Sequence, residues 1–149
     1  MQTFSSSTPI AAPREIAWEV MTSHELYARW TPSSRVDLEI EGSPEPNGVG
    51  AVRAFRTGPV STREEVTVFE PPYRMVYRLL SAPLPIRNYR SEMMLVGEDG
   101  GDSCQLHWDS WFDVVIPLTG GILRQLMASA VAKMAAGIAE EAQHRAQSA

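Results

Sequence analysis

Between residues 35 and 115 the chain alternates apolar and polar side chains; after residue 119 its apolar residues recur every three or four positions instead. Side chains on a strand point to two faces in turn, whereas those on a helix return to one face at the longer spacing. No other feature restricts the fold as much. Val36, Leu38 and Ile40, interleaved with Arg35, Asp37, Glu39 and Glu41, form a half-buried strand. Further strand segments follow at 49–56, 61–69, 73–80, 86–96 and 103–115, separated by TGP, EPP, SAPLP and GEDGGD. Each break is short enough for an antiparallel hairpin, so these six segments read as a meander with one wet face. The run GSPEPNG at 42–48 is a turn by composition.

The flanks complete the order. Residues 2–10 alternate weakly and read as a first strand. Pro13 suits the first position of a helix, where its fixed φ helps and its missing N–H costs nothing. Ile16, Ala17, Val20 and Met21 continue at helical spacing. Thr22 and Glu25 match a capping box, which predicts a second short helix from Thr22 with Leu26, Tyr27 and Trp30 on its apolar face and Pro32 at its end. At the other end Thr119 is placed to cap a helix over about residues 120–143. Leu123, Met127, Ala130, Met134 and Ile138 make its stripe, widened by Leu126 and Val131. The predicted fold is α+β: a curved seven-stranded antiparallel sheet, two short helices after its first strand, and a long C-terminal helix lying across it. A bent sheet that wraps one helix need not fill the space between them, and that gap is the natural ligand site.

Composition sets bounds on function. The 149 residues suit one domain, taken as 1–149, able to bury roughly 68–70% of its unfolded surface without staples. Thirteen basic against eighteen acidic residues argue against nucleic-acid binding. The single Cys104 makes no internal disulfide, the N-terminus lacks the pattern of a secretion signal, and no apolar run approaches the ~20 residues that cross a bilayer. The expectation is a cytoplasmic monomer or homodimer with no membrane span.

Chemical motifs are sparse. Cys104, His107 and Asp109 resemble a nucleophile cluster only on paper, since strand parity sends Cys104 and His107 to opposite faces. There is no Gly-x-Ser-x-Gly elbow. His24, His107 and His144 lack metal-ligand spacing, so no metal is expected. Gly48 and Gly50 are followed by Arg53 where a dinucleotide fingerprint needs glycine, so no cofactor is expected.

In the order of its elements the chain resembles the START-like (SRPBCC) superfamily, which includes polyketide cyclases and dehydrases, plant pollen allergens and hormone receptors. The residues that carry the resemblance are IAAPREIAW at 10–18, WTP at 30–32, GVGAVR at 48–53, EEV at 64–66, FEPPYRMVY at 69–77, NYRS at 88–91, GGDSCQLHW at 100–108 and the closing helix. The resemblance implies the helix-grip fold and a shared cavity, with little fixed chemistry.

Parity selects the residues that face such a cavity. Cys104, Leu106, Trp108, Ser110 and Phe112 share one face of the last strand, and Met75, Tyr77 and Leu79 share one face of the fifth. By analogy with ligand positions in the family, Tyr89, Ser91, Met93 and Leu95 face inward on the sixth. Met127, Val131 and Met134 wall the helix side, although methionines fill ordinary cores equally well. The candidate ligand-binding set is Tyr77, Tyr89, Ser91, Met93, Leu106, Trp108, Ser110, Met127, Val131 and Met134. The polar tips of Tyr77, Tyr89 and Trp108 need partners when buried, which sets them apart from plain core. Glu64 shares parity with Val66 and Val68, which makes it a candidate inward carboxylate and general base, although a solvated face is commoner near a strand start. Arg53 shares a strand with Phe55 and can face either way. If both turn inward, an ion pair and catalysis are equally open. Catalytic candidates are Glu64, Arg53, Tyr77 and Tyr89. Trp111 falls on the outer face, as a dimer contact or at a bulge. Two functions follow: binding or carriage of a hydrophobic or aromatic, lipid- or polyketide-like small molecule, or a cyclase/dehydratase-like enzyme that positions a chain and polarises its carbonyls. A protein-interaction module of the co-chaperone kind is a third.

Overall fold

The computed structural model describes residues 1–148. Strand β1 (Gln2–Ile10) leads into helix α1 (Arg14–Thr22) and a 3-10 helix (His24–Arg29). The strands β2 (Arg35–Ile40), β3 (Val52–Thr57), β4 (Val60–Glu70), β5 (Arg74–Ser81), β6 (Ile86–Gly97) and β7 (Cys104–Val114) follow, then helix α2 (Gly120–Ser148). All seven strands form one antiparallel sheet in the order β1-β7-β6-β5-β4-β3-β2, a meander closed by β1 beside β7. This is the predicted helix-grip architecture.

Its inner face follows the parity of the sequence. On β7, Cys104, Leu106, Trp108, Ser110 and Phe112 are buried while the residues between them are half-buried. Tyr89, Ser91, Met93 and Leu95 are the buried set on β6. Register shifts between Leu38 and Ile40, Arg63 and Glu64, Val66 and Val68, and Arg87 and Arg90 interrupt the ladders. Such irregularities bend a sheet and raise its twist. The shift after Val66 also turns Phe69 inward in place of Val68, which strict alternation puts on the same face as Glu64.

Several local expectations are corrected. Pro13 is the N-cap of α1 rather than its first residue. Thr22 ends α1, and its hydroxyl donates back to the Trp18 carbonyl at 2.8 Å; it caps nothing, because the bond to the preceding turn is already in reach. Thr119 likewise donates its hydroxyl to the Ile116 carbonyl, while its own carbonyl accepts the Leu123 N–H. β3 starts three positions later than predicted, since Gly50 takes φ +88° and breaks the extended run. α2 runs to Ser148 instead of stopping near 143. Leu126, predicted to widen its buried stripe, is exposed, because the sheet does not cover that side of the first turns.

Gly137 lets α2 approach the 3-10 helix: a Cβ there collides with the Trp30 indole. By length and composition α2 is also apolar enough to cross a membrane, which corrects the expectation that no segment is. Here its Leu123, Met127, Val131, Ala135 and Ile138 pack into the core.

Candidate functional site

The space between sheet and helix divides into two parts. Toward α1 it is filled by Trp18, Phe69, Met75, Leu95, Leu106 and Ile138. Toward the 3-10 helix it opens into a cavity of about 290 Å³, at the lower edge of the volumes that hold small molecules. Tyr27, Phe55, Tyr77, Leu79, Tyr89 and Trp108 give it ring and aliphatic walls, and Met127, Ala130, Val131 and Met134 of α2 close the opposite side. Thr31, Pro32, Thr57, Ala82 and Leu84 stand around its rim. A larger depression of about 730 Å³ lies outside, between Arg29, Trp30 and the C-terminal part of α2, and is walled mainly by Glu140, Glu141, Gln143 and His144. That wall is polar and the Arg29 and Arg145 guanidiniums already occupy Glu141, so the inner cavity is the better ligand site.

Arg53 and Glu64 both turn into the cavity wall. They sit directly opposite on β3 and β4, are 1% and 6% exposed, and pair through Nη2 and Oε1. The guanidinium lies between the Tyr27 and Tyr77 rings, 5.6 Å from each centroid. A delocalised cation suits that sandwich better than an ammonium would. Burial drives the Glu64 pKa up and Arg53 pulls it back, with a net rise. For Arg53 burial acts downward, but Glu64, Tyr27 and Tyr77 outweigh it and hold the cation firmly charged. Burial is also the main cause of the raised pKa values of Tyr77 and Tyr89, which therefore act as O–H donors and not as bases.

Behind Tyr89 lies a closed ring of hydroxyls. Tyr89 donates to Ser110 at 3.2 Å, Ser91 donates to Tyr89 at 3.0 Å, and Ser91 and Ser110 stand 2.7 Å apart. The cluster fixes the Tyr89 ring against Phe112 on one side and Tyr77 on the other. Among the described residues, two buried donors on side chains that line the cavity have no partner: Arg53 Nε and Trp108 Nε1. An unanswered buried N–H costs about 1–3 kcal/mol, which sets these two apart from the satisfied hydroxyl ring.

Of the sequence-derived candidates, the structure brings Arg53, Glu64, Tyr77, Tyr89, Trp108, Met127, Val131 and Met134 to the cavity. Ser91 and Ser110 support it from behind, and Met93 and Leu106 lie in the packed core away from it. Tyr27, Phe55 and Thr62 were missed. Thr62 shares parity with Glu64, and Phe55 with Arg53, which was a usable signal. Tyr27 gave none beyond its apolar stripe; its hydroxyl is spent on the Met21 carbonyl at 2.6 Å and its ring faces the cavity. Trp111 is outside, half-buried, with the Arg90 guanidinium 4.7 Å from its ring centroid. Cys104 is buried on the inner face with its thiol pKa raised by burial, while His107 lies outside beside the Ser7 hydroxyl at 3.2 Å.

Residues 1–146 match the family described as polyketide cyclase / dehydrase and lipid transport. The chain belongs to that family. Comparison with curated proteins finds no match. Among solved structures, a Thermobifida fusca protein is 26% identical, with a TM-score of 0.77 over 97% of this chain and 95% of that one. A START superfamily protein from Mycobacterium smegmatis aligns at TM-score 0.73 and 16% identity over 99% of both chains. Norcoclaurine synthase from Thalictrum flavum, a point mutant with a transition-state analogue, aligns at 0.74 and 18% over 97% and 95%. At such identities the last two likenesses are of fold. Together these findings identify the chain as a START-like ligand-binding domain in the general sense.

Proposed function

We propose that the protein binds a small, largely apolar or aromatic molecule that carries one hydrogen-bond-accepting oxygen, in the cavity between the sheet and α2. The observation that carries this reading is a cavity walled by rings and aliphatic groups, with the Tyr77 and Tyr89 side chains, the Arg53–Glu64 pair and the Trp108 indole in its lining. A carbonyl, phenol or carboxylate oxygen suits the donors among them, and the rings supply contact area. The volume of about 290 Å³ favours one or two fused rings, or a short single chain, over a two-tailed lipid.

Thermal denaturation with a panel of naphthols, naphthoquinones and short fatty acids tests it, alongside native mass spectrometry of freshly purified protein. A true ligand at a hundred times its Kd stabilises by about 2.7 kcal/mol, a rise in Tm on the order of 5–10 °C. Trp108→Phe lowers the affinity for oxygen-bearing members and leaves purely hydrocarbon ones unchanged. A panel that leaves Tm unmoved, with no co-purifying ligand, ends the proposal.

The enzymatic alternative has its own support in Arg53 and Glu64. Arg53 and the Tyr77 hydroxyl polarise a substrate carbonyl, and Glu64, with its raised pKa, takes a proton from the adjacent carbon. The resulting enolate closes a ring on a second carbonyl, and loss of water follows without any oxidant. On this reading Glu64→Gln and Tyr77→Phe stop turnover of a poly-β-ketone model substrate in folded protein. An unchanged product distribution in both removes it.

A further inference from the structure

We propose that Glu64 is the charge filter of the cavity: by occupying Arg53 it makes the site refuse carboxylates and ammonium ions and admit uncharged ketones, esters and phenols. This selectivity rests on the ligand cavity proposed above and names the class of molecule it takes. Of the acceptors that suit the lining, carboxylate is the one refused.

The charges on the sheet fall into two groups. On the outer face Arg78 meets Glu65 and Arg74 meets Glu92, each pair open to water. A third charge arriving there is screened and costs little. Among the described residues Arg53 and Glu64 are the only charged side chains that are buried, and the only charged members of the cavity lining. The site therefore holds one cation and one anion, already in contact across β3 and β4.

The pair is also held in place. Arg53 lies between the Tyr27 and Tyr77 rings, and Tyr27 is pinned by its bond to the Met21 carbonyl and by edge contacts with Trp30 and Phe55. The guanidinium cannot swing toward a guest without leaving both rings. Its Nε has no partner, yet that atom is shielded, so a carboxylate does not reach the cation by that edge.

A carboxylate guest makes two anions share one guanidinium inside a wall of rings and aliphatic groups. Either the guest goes uncompensated or Glu64 is displaced and left buried without its partner. Both outcomes strand an anion out of water. An ammonium guest strands a cation by the mirror argument. A ketone, ester or phenol leaves the pair whole, and its oxygen accepts from a hydroxyl such as that of Tyr77, which burial keeps protonated. The selection then lies in charge rather than in shape, and one substitution reverses it.

Three probes of one shape test the filter: acetonaphthone, naphthoate and naphthylmethylammonium, substituted at the same ring position and titrated calorimetrically at neutral pH. Wild type binds the ketone and holds both ions about a hundredfold more weakly. Glu64→Gln keeps an acceptor beside Arg53 but removes the negative charge. The preference for ketone over naphthoate then falls by about tenfold or more, while the ammonium is still refused. Naphthoate binding to wild type as tightly as the ketone overturns the filter and leaves the cavity reading standing. A folded Glu64→Gln protein with an unchanged preference overturns it too, since shape is then the cause. Where that variant does not fold, methyl naphthoate takes its place: it binds wild type as the ketone does, and its refusal rules out charge as the cause. Wild type that binds none of these probes removes the cavity reading, and the filter with it.

Discussion

The two ends of the sheet–helix interface are built from the same strands and the same helix, yet they differ in kind. On β5 the packed end has Met75 and the open end Tyr77; on β6 Leu95 gives way to Tyr89; on β7 Leu106 gives way to Trp108; on α2 Ile138 gives way to Met127 and Val131. Both inner-face charges, Arg53 and Glu64, lie at the open end. Side chains with polar tips resist close packing unless each tip is answered, so the pattern that leaves a void also equips it. Stability belongs to the first end and chemistry to the second.

The strongest test of that division is to break the buried pair. Glu64→Leu leaves the Arg53 guanidinium uncompensated and costs about 3–5 kcal/mol in urea unfolding. Arg53→Met combined with Glu64→Leu recovers most of that loss, because an apolar pair of similar volume removes both desolvation penalties. The double variant then binds oxygen-bearing ligands less tightly than wild type while being as stable. If the double variant stays as unstable as the single one, the pair is structural and the open end is not a dispensable site.

The packed end responds differently. Ile138→Ala creates a cavity among fully buried neighbours and costs about 2–5 kcal/mol. Met134→Ala, at a half-buried position on the cavity wall, costs less than about 1 kcal/mol, since its side chain already borders open space. Equal losses in the two variants, read by the same unfolding transition, contradict the idea that α2 is packed at one end only.

How much of this was legible in the sequence follows from which period each residue obeys. The alternation of Cys104, Leu106, Trp108, Ser110 and Phe112 fixes a face because a strand with one buried side admits a single register. It does not fix position along that face, so Leu106 and Met93 share parity with Trp108 and Tyr89 but lie in the packed core. Depth is set by where α2 stands away from the sheet, which no local pattern encodes. Glu64 shares parity with Val66 and is buried with it, yet it reads as ambiguous because a charged residue near a strand start is commonly solvated. What turns it inward is its cross-strand partner Arg53, which only the folded sheet supplies. Tyr27 reaches the cavity through the placement of a 3-10 helix against β2 and β3, a tertiary fact. Leu126 obeys the helical period and is exposed, since periodicity predicts a stripe but not how far the sheet extends over it.

Tyr89→Phe probes the support behind the open end. It deletes one vertex of the hydroxyl ring and leaves Ser91 and Ser110 bonded to each other, at a cost of about 1 kcal/mol. Ligand affinity falls further than stability does, because the ring of Tyr89 is no longer held in orientation. A loss of stability without any change in affinity assigns the cluster to the core alone.

The smallest expected effect has opposite signs inside and outside the cavity. Glu64 has a folded-state pKa raised chiefly by burial, so the native state keeps its proton to higher pH than the unfolded chain does. Its contribution is therefore fully present below the ordinary carboxyl value of 4.5 and is lost as pH rises through the folded value. Asp37 on the outer face is the reverse. Hydrogen bonds from Arg56 and Arg35 lower its pKa, so its contribution is present above the ordinary value and lost as pH falls through the folded one. Glu64→Gln accordingly flattens the decline of unfolding free energy just above pH 4.5, whereas Asp37→Asn flattens the decline on the acid side. Solvent screening keeps the Asp37 effect small, since that carboxylate is accessible. Measuring stability against pH for both variants separates them. A Glu64→Gln profile that runs parallel to wild type above pH 4.5 means the cavity carboxyl is not desolvated, and the distinction drawn between the two ends loses its electrostatic half.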